Sequence, residues 1–287
     1  MNSGVRTVAK RLLPTIYSLY PPSQCFQKYR RTFGRFPNVI LPRRLTEKVQ
    51  RKMLFDRNPM ATVFADKVRV RNYVRSRLGG EECLSKYYAV VESADQISHL
   101  ELPNSFVMKP SHTSGDVRIV RDASNLELGE LESLAGKWLK RNFYKFSGEW
   151  GYKNVKPRII FEELLGANGQ IPMDYKFHCF HGEPRFILVV KDRFGPQRMQ
   201  NYYGIDLTRL QIKDRRFRNF DDDIKPVPNY GKMLDVARRL SRGVDFVRID
   251  LYSFGDRVVF GEMTNYPAGG LVPYDPPSWD YKFGSYW

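Results

Sequence analysis

The chain has 287 residues, a formal net charge of +16, and 42% apolar with 14% aromatic content. That is enough to bury a core divided between two lobes, and too apolar for an intrinsically disordered class. No apolar run approaches the roughly 20 residues that a membrane span needs. The basic surplus suits a polyanionic partner, but zinc knuckles, aromatic ribonucleoprotein motifs and a basic zipper are all absent, which argues against a sequence-specific nucleic-acid reader.

Residues 1–40 read as a basic, aromatic N-terminal extension. Arg6, Lys10 and Arg11 are interleaved there with Val5, Val8, Leu12, Leu13 and Ile16. This short amphipathic stretch, broken by Pro14, could rest on the anionic inner face of a membrane or equally well pack on the body of the protein. Cys25, Cys83 and Cys179 form neither a disulfide framework nor a metal motif, and a reducing cytoplasm fits them. Hydrophobic periodicity and caps predict helices over 46–55, 66–78, 127–143 and 231–241, the second closed by Gly79-Gly80. Strands are expected over 87–91, 106–109, 116–120, 158–165, 175–180, 185–190, 246–252 and 258–262. The class is α+β, rich in antiparallel pairing and without a βαβ repeat. It divides into an N-terminal subdomain (41–102), a small lobe (103–165) and a C-terminal lobe (166–287).

The densest chemistry lies near the C-terminus. Arg248 and Asp250 alternate onto one face of a strand, and Gly255-Asp256 makes a hairpin turn to a strand ending in Phe260-Gly261-Glu262. If the two strands pair, Asp250 and Glu262 lie side by side. Adjacent carboxylates repel unless a cation separates them, and such hard oxygen ligands suit Mg²⁺, with Arg248 left to hold a phosphate oxygen. A plain salt-bridge cluster accounts for the same three residues about as well. Upstream, Lys109 leaves the strand Phe106-Val107-Met108 and enters Pro110-Ser111-His112-Thr113-Ser114-Gly115, a small hydroxyl-rich loop suited to phosphate although it is no Walker loop. Glu162, Glu163 and Leu165 close another apolar strand, followed by Asp174-Tyr175-Lys176. Acids there can meet an adenine amine and ribose hydroxyls, or simply be solvated.

Taken in order, Lys67, Lys109 with its loop, Glu162 to Leu165 with Asp174, and then Arg248, Asp250 and Glu262 resemble the ATP-grasp superfamily. The runs Asp66-Lys67-Val68-Arg69-Val70-Arg71-Asn72-Tyr73-Val74, Asp174-Tyr175-Lys176-Phe177, Val247-Arg248-Ile249-Asp250-Leu251-Tyr252 and Phe260-Gly261-Glu262-Met263-Thr264 are similar to its TupA-like group, named for teichuronopeptide biosynthesis. The resemblance extends from about Leu41 to Trp287. It implies two α+β lobes gripping ATP between antiparallel sheets. On that model Lys67 and Lys109 hold ATP phosphates, and the loop Ser111, His112, Thr113, Ser114, Gly115 closes over them. Glu162 meets the adenine, with Glu163 and Leu165 beside it, and Asp174 and Lys176 follow at the ribose side. Lys191 or Arg193 clamps a phosphate or intermediate, Arg248 stabilises the transferring phosphoryl group, and Asp250 and Glu262 ligate Mg²⁺.

The metal motif departs from the E-x-N of many relatives: Glu262-Met263-Thr264-Asn265 places the Asn one residue late. Either Asn265 still reaches the metal or Thr264 or water replaces it. The implied activity is an ATP-dependent carboxylate–amine ligase working through an acyl phosphate on an acidic small-molecule, saccharide or peptide substrate, in cell-surface polysaccharide or polyanion biosynthesis. An ATP-grasp kinase, a polysaccharide glycosyltransferase and a noncatalytic polyanion-binding protein are the alternatives.

Overall fold

The computed structural model describes residues 23–166 and 172–287; the amphipathic stretch expected within the first twenty residues lies outside them. Four helices come first among the described residues: α1 (Ser23–Phe33), α2 (Leu45–Phe55), α3 (Met60–Ala65) and α4 (Arg69–Leu78). The first falls inside the stretch read as an extension, yet its Tyr29 is fully buried and bonds the Thr46 hydroxyl at 3.1 Å. Residues 23–33 are therefore packed against α2.

A small antiparallel sheet follows, in the order β1 (Tyr87–Val91), β4 (Ile159–Glu162), β2 (Phe106–Pro110), β3 (Arg118–Val120). It combines segments placed in two different regions by sequence, since β1 precedes residue 103. The alternating residues Phe106 and Met108, with Ile159 and Phe161, bury one face against Leu131, Ala135 and Trp138 of α5 (Leu128–Leu139). A short helix α6 (Phe143–Ser147) ends at Gly148, whose φ of 77° is the left-handed stop that glycine adopts without strain.

The larger sheet is antiparallel throughout, ordered β10 (Arg257–Thr264), β9 (Phe246–Phe254), β5 (Asp174–Phe180), β6 (Glu183–Lys191), β7 (Met199–Gly204). Its two faces are covered by different elements. Phe177, Ile187, Val189, Val247, Ile249 and Leu251 pack on Met233, Val236, Ala237 and Leu240 of α7 (Tyr230–Ser241). Phe180, Phe186, Tyr202 and Phe246 face the other way, onto α2 and Phe283 of α8 (Ser278–Gly284), with Phe186 and Phe283 stacked at 3.7 Å. A two-stranded ribbon, β8 (Lys213–Asp214) with β11 (Tyr274–Asp275), completes the described strands. Because β5 and β9 are covered on both faces, any charge on them must find a partner inside the protein.

Candidate functional site

The hairpin β9–β10 sets the geometry. Phe260 pairs with Leu251, but the next pair is Glu262 with Asp250, so Gly261 is an extra residue in a β-bulge. The insertion shifts the alternation of β10 by one. Glu262 and Thr264 are thereby brought onto the face that carries Asp250 and Arg248, while Met263 stays with Ile249 and the core. A glycine is required at the bulge because a Cβ on Gly261 would lie 2.9 Å from Tyr252 Cε2 and 3.2 Å from the Asp250 carbonyl oxygen.

Six charged side chains meet on this face. Arg248 donates to both Asp250 oxygens at 2.6 and 2.7 Å and to Glu262 Oε1 at 2.6 Å. Lys176 bridges Asp174, at 2.5 Å, and Asp250. Arg193 donates to Asp174 Oδ2 at 2.7 Å and to the Tyr252 hydroxyl at 2.9 Å. Three acids and three cations balance, which is the condition under which charges are tolerated at this depth. Burial would push Asp174 and Glu262 up, but the neighbouring cations outweigh it and hold both carboxyls below their usual range. Asp174 Oδ1 remains buried without a hydrogen bond.

A cavity of about 330 Å³ opens between the two sheets, and Lys67, Lys109, Gly115, Glu162, Glu163, Leu165, Arg193 and Glu262 all line it. Lys67 is fixed at the head of α4. Asp66 accepts from Val68 N at 2.9 Å and from Arg158 at 2.7 Å, and the Lys67 ammonium donates to the Thr113 carbonyl. Burial first, and then Lys109, lower the Lys67 ammonium to about 8, although Glu262 pulls the other way. Lys109 pairs with Glu162, whose second oxygen accepts from Ser85 at 2.9 Å. Glu163 accepts from Lys86 N at 2.9 Å and Arg257 at 3.1 Å, joining the small sheet to β10.

Several expected site residues stand elsewhere. Ser111 is buried and donates to the Lys156 carbonyl at 3.2 Å, and His112 Nε2 lies 3.0 Å from the Trp138 carbonyl oxygen under α5. Thr113 turns its hydroxyl to Asp116 at 2.8 Å, leaving Ser114 and Gly115 as the exposed part of the loop. The reason is local: the loop must satisfy its own polar groups once it crosses the sheet edge. Asp174 and Lys176 are buried in the ion cluster behind the cavity wall, as are Asp250 and Arg248, so Asp174 is not presented to a ribose in this conformation. Lys191 pairs with Asp222 at 2.6 Å and is not among the cavity-lining residues. Asn265 is turned away from Asp250, its amide donating to the Ala61 carbonyl at 2.9 Å, while the bulge puts Thr264 on the charged face, 2.7 Å from Glu262 Oε1.

The sequence reading passed over Arg198, Phe194, Tyr252 and Ser85, which also line the cavity. Glu149 is not among the cavity-lining residues, but burial and then the Glu262 charge raise its carboxyl to about 8. Nothing local marks these residues, because their role comes from where distant strands place them. Among the described residues no group of three or more His, Cys, Asp or Glu is arranged to hold a metal by itself. Asp250 and Glu262, side by side with Glu262 on the cavity wall, are nevertheless the carboxylate pair that suits Mg²⁺ when phosphate oxygens complete its shell.

Comparison with solved structures finds loose likenesses. The ATP-grasp ligase PsnB, in complex with a phosphomimetic variant of a minimal precursor, Mg and ADP, is 13% identical with a TM-score of 0.44, over 79% of this chain and 60% of that one. A D-alanine–D-alanine ligase from Helicobacter pylori is 14% identical with a TM-score of 0.42, over 77% and 59%. An L-amino acid ligase from Bacillus licheniformis is 15% identical with a TM-score of 0.43, over 80% and 46%. The chain thus matches less than two thirds of the length of each. Comparison with curated proteins finds no matching sequence. The assignment rests on a family model that matches residues 47–287: the chain belongs to the TupA-like ATP-grasp family.

Proposed function

We propose that the chain binds ATP with Mg²⁺ in the cavity between its two sheets and uses it as a carboxylate–amine ligase. The observation that carries this reading is the convergence of Lys67, Lys109 and Glu262 on one cavity, with the Glu162 to Leu165 segment on its rim. Two ammonium groups facing a carboxylate across an open space suit a metal-bound polyphosphate better than any neutral ligand.

In this reading Lys67 and Lys109 hold the phosphates, with Lys109 exchanging Glu162 for a phosphate oxygen, and Glu162 is freed to accept from the adenine amine. Glu162, Glu163 and Leu165 frame the base. Glu262 and Asp250 would hold Mg²⁺, which neutralises phosphate charge when bound. Ligation by Asp250 requires that Arg248 or Lys176 release one of its oxygens, and Arg248 then turns to the transferring phosphoryl group while Arg193 steadies the intermediate. A substrate carboxylate oxygen attacks the γ-phosphorus as its bond to ADP breaks, giving an acyl phosphate. An amine next attacks the acyl carbon, expels phosphate and loses a proton. The protein's own contribution is placement and charge, as expected for phosphoryl transfer. The basic surface fits an acidic small-molecule, saccharide or peptide substrate, in cytoplasmic steps of cell-surface polymer synthesis.

The test is calorimetric titration with a nonhydrolysable ATP analogue, with and without Mg²⁺, against a UDP-sugar control. Mg²⁺-dependent binding of the analogue that is lost in Lys109→Ala supports the reading. Binding of the nucleotide sugar alone overturns it in favour of a glycosyltransferase, and no nucleotide binding overturns it outright.

A further inference from the structure

One face of the N-terminal helices joins two features that rarely coincide. Phe36, Ile40, Leu41 and Phe55 are 55%, 80%, 74% and 60% exposed. Arg51 ties Ile40 to Phe55: it donates to the carbonyls of Val39 and Ile40 at 2.7 and 3.0 Å and lies 5.9 Å from the Phe55 ring centre. Arg30 lies 5.2 Å from the ring centre of Phe36. Between Lys28 and Arg57 the sequence carries ten Lys and Arg against two acids, Glu47 and Asp56. Both acids are occupied, Glu47 by Arg35 and Arg44 and Asp56 by Lys52. Arg30, Arg31, Arg43 and Arg51 are exposed, and among the described residues none of them pairs with a carboxylate.

We propose that this face docks on a bilayer containing anionic phospholipid, with Ile40 and Leu41 entering the headgroup layer and the arginines meeting phosphate. Exposed apolar residues rimmed by charge of a single sign are the composition of an interfacial membrane contact. The shape agrees. Ile40 and Leu41 form a tip between Pro37 and Pro42, with Leu41 N held by Asn38 Oδ1 at 3.0 Å. A fixed aliphatic tip needs no matching pocket in a lipid surface, whereas a protein partner would have to supply one. Charge argues against a second copy of the same face, because an isologous dimer would bring two unpaired arginine sets together. The surface is separate from the nucleotide cavity, and the inference stands whether or not ATP is the ligand there.

The experiment is co-sedimentation of the full chain with phosphatidylcholine vesicles, with and without phosphatidylglycerol, at low and high salt. Binding is expected only to the anionic vesicles, weakening as salt screens the arginines. The charge-neutral variant Ile40→Ser/Leu41→Ser should bind at least about tenfold more weakly, from the apolar burial it gives up. Arg30→Gln/Arg31→Gln should weaken binding and lessen its salt dependence. The proposal is overturned if the wild type fails to bind anionic vesicles at low salt, or if Ile40→Ser/Leu41→Ser binds them as the wild type does. It is also overturned if analytical ultracentrifugation of the lipid-free protein shows a dimer that the same variant dissolves.

Discussion

Gly261 lies so close to Asp250 that a methyl group in its place would come within 3.2 Å of the Asp250 carbonyl oxygen. The absence of a side chain at Gly261 leaves room for the bulge that turns Glu262 toward Asp250. Gly261→Ala should therefore move Glu262 as well as strain the hairpin. Thermal denaturation should show a loss of about 1–3 kcal/mol, and Mg²⁺-dependent nucleotide binding should weaken further than that loss explains. Unchanged binding in a destabilised variant would show that the bulge does not set the Asp250 and Glu262 pair for nucleotide binding.

Arg248 is the only described side chain that bonds both Asp250 and Glu262. Its removal leaves the buried Asp250 and the half-buried Glu262 with too little positive charge. Urea denaturation of Arg248→Ala should give a loss of about 3–5 kcal/mol, the usual result of breaking a buried pair from one side. Replacing Arg248 and Asp250 together by Met and Asn should cost less than the two single changes added.

The Lys67 ammonium, held at about 8 by burial and by Lys109, is partly neutral in mildly alkaline solution. A polyphosphate beside it favours the charged form and raises the value. Nucleotide binding should then take up protons at pH 8 to 9 and take up few near pH 6, where Lys67 is already charged. Calorimetry in buffers of different ionisation enthalpy measures the uptake directly. Lys67→Arg, which stays charged throughout, should abolish it.

Asp280 of α8 accepts from Thr46 N at 3.0 Å and from the Thr46 hydroxyl at 2.6 Å, and burial nevertheless raises its carboxyl to about 6. Its folded value exceeds the ordinary 3.8. The stabilisation this implies is fully present below pH 3.8 and is lost as pH rises through 6, by up to roughly 3 kcal/mol. Melting curves of Asp280→Asn between pH 4 and pH 7 should lack this component.

Much of the fold is legible in the sequence, because its signals are local. The β9–β10 hairpin follows from alternation and the Gly255-Asp256 turn, and α4 from its period and from Gly79, which adopts φ 77°. Helix α1 escaped because it buries only Cys25 and Tyr29 along an otherwise basic face, α3 because six residues give too little period, and β7 because Met199-Gln200-Asn201-Tyr202-Tyr203-Gly204 looks polar outside its sheet. In the site, the lysines and acids lining the cavity were visible as residue types on strand ends. Their partners were not. Lys176 reaches Asp250 across 74 positions, and the bulge shows only when β10 is set against β9. In the loop Ser111 to Thr113 the composition shows hydroxyls and an imidazole but not their partners, which are the Lys156 and Trp138 carbonyls and the Asp116 carboxylate.

The ion cluster also restricts how this sequence can diverge. Each of Asp174, Lys176, Arg193, Arg248, Asp250 and Glu262 answers the charge of another. A lone replacement at any of them strands an opposite charge in the interior, so drift at these positions has to proceed by matched exchanges of one acid with one base. The neighbouring apolar positions on the α7 side of the same strands can vary one at a time. The two opposite faces of one sheet should therefore record descent at different tempos, the charged face slow and concerted and the apolar face gradual.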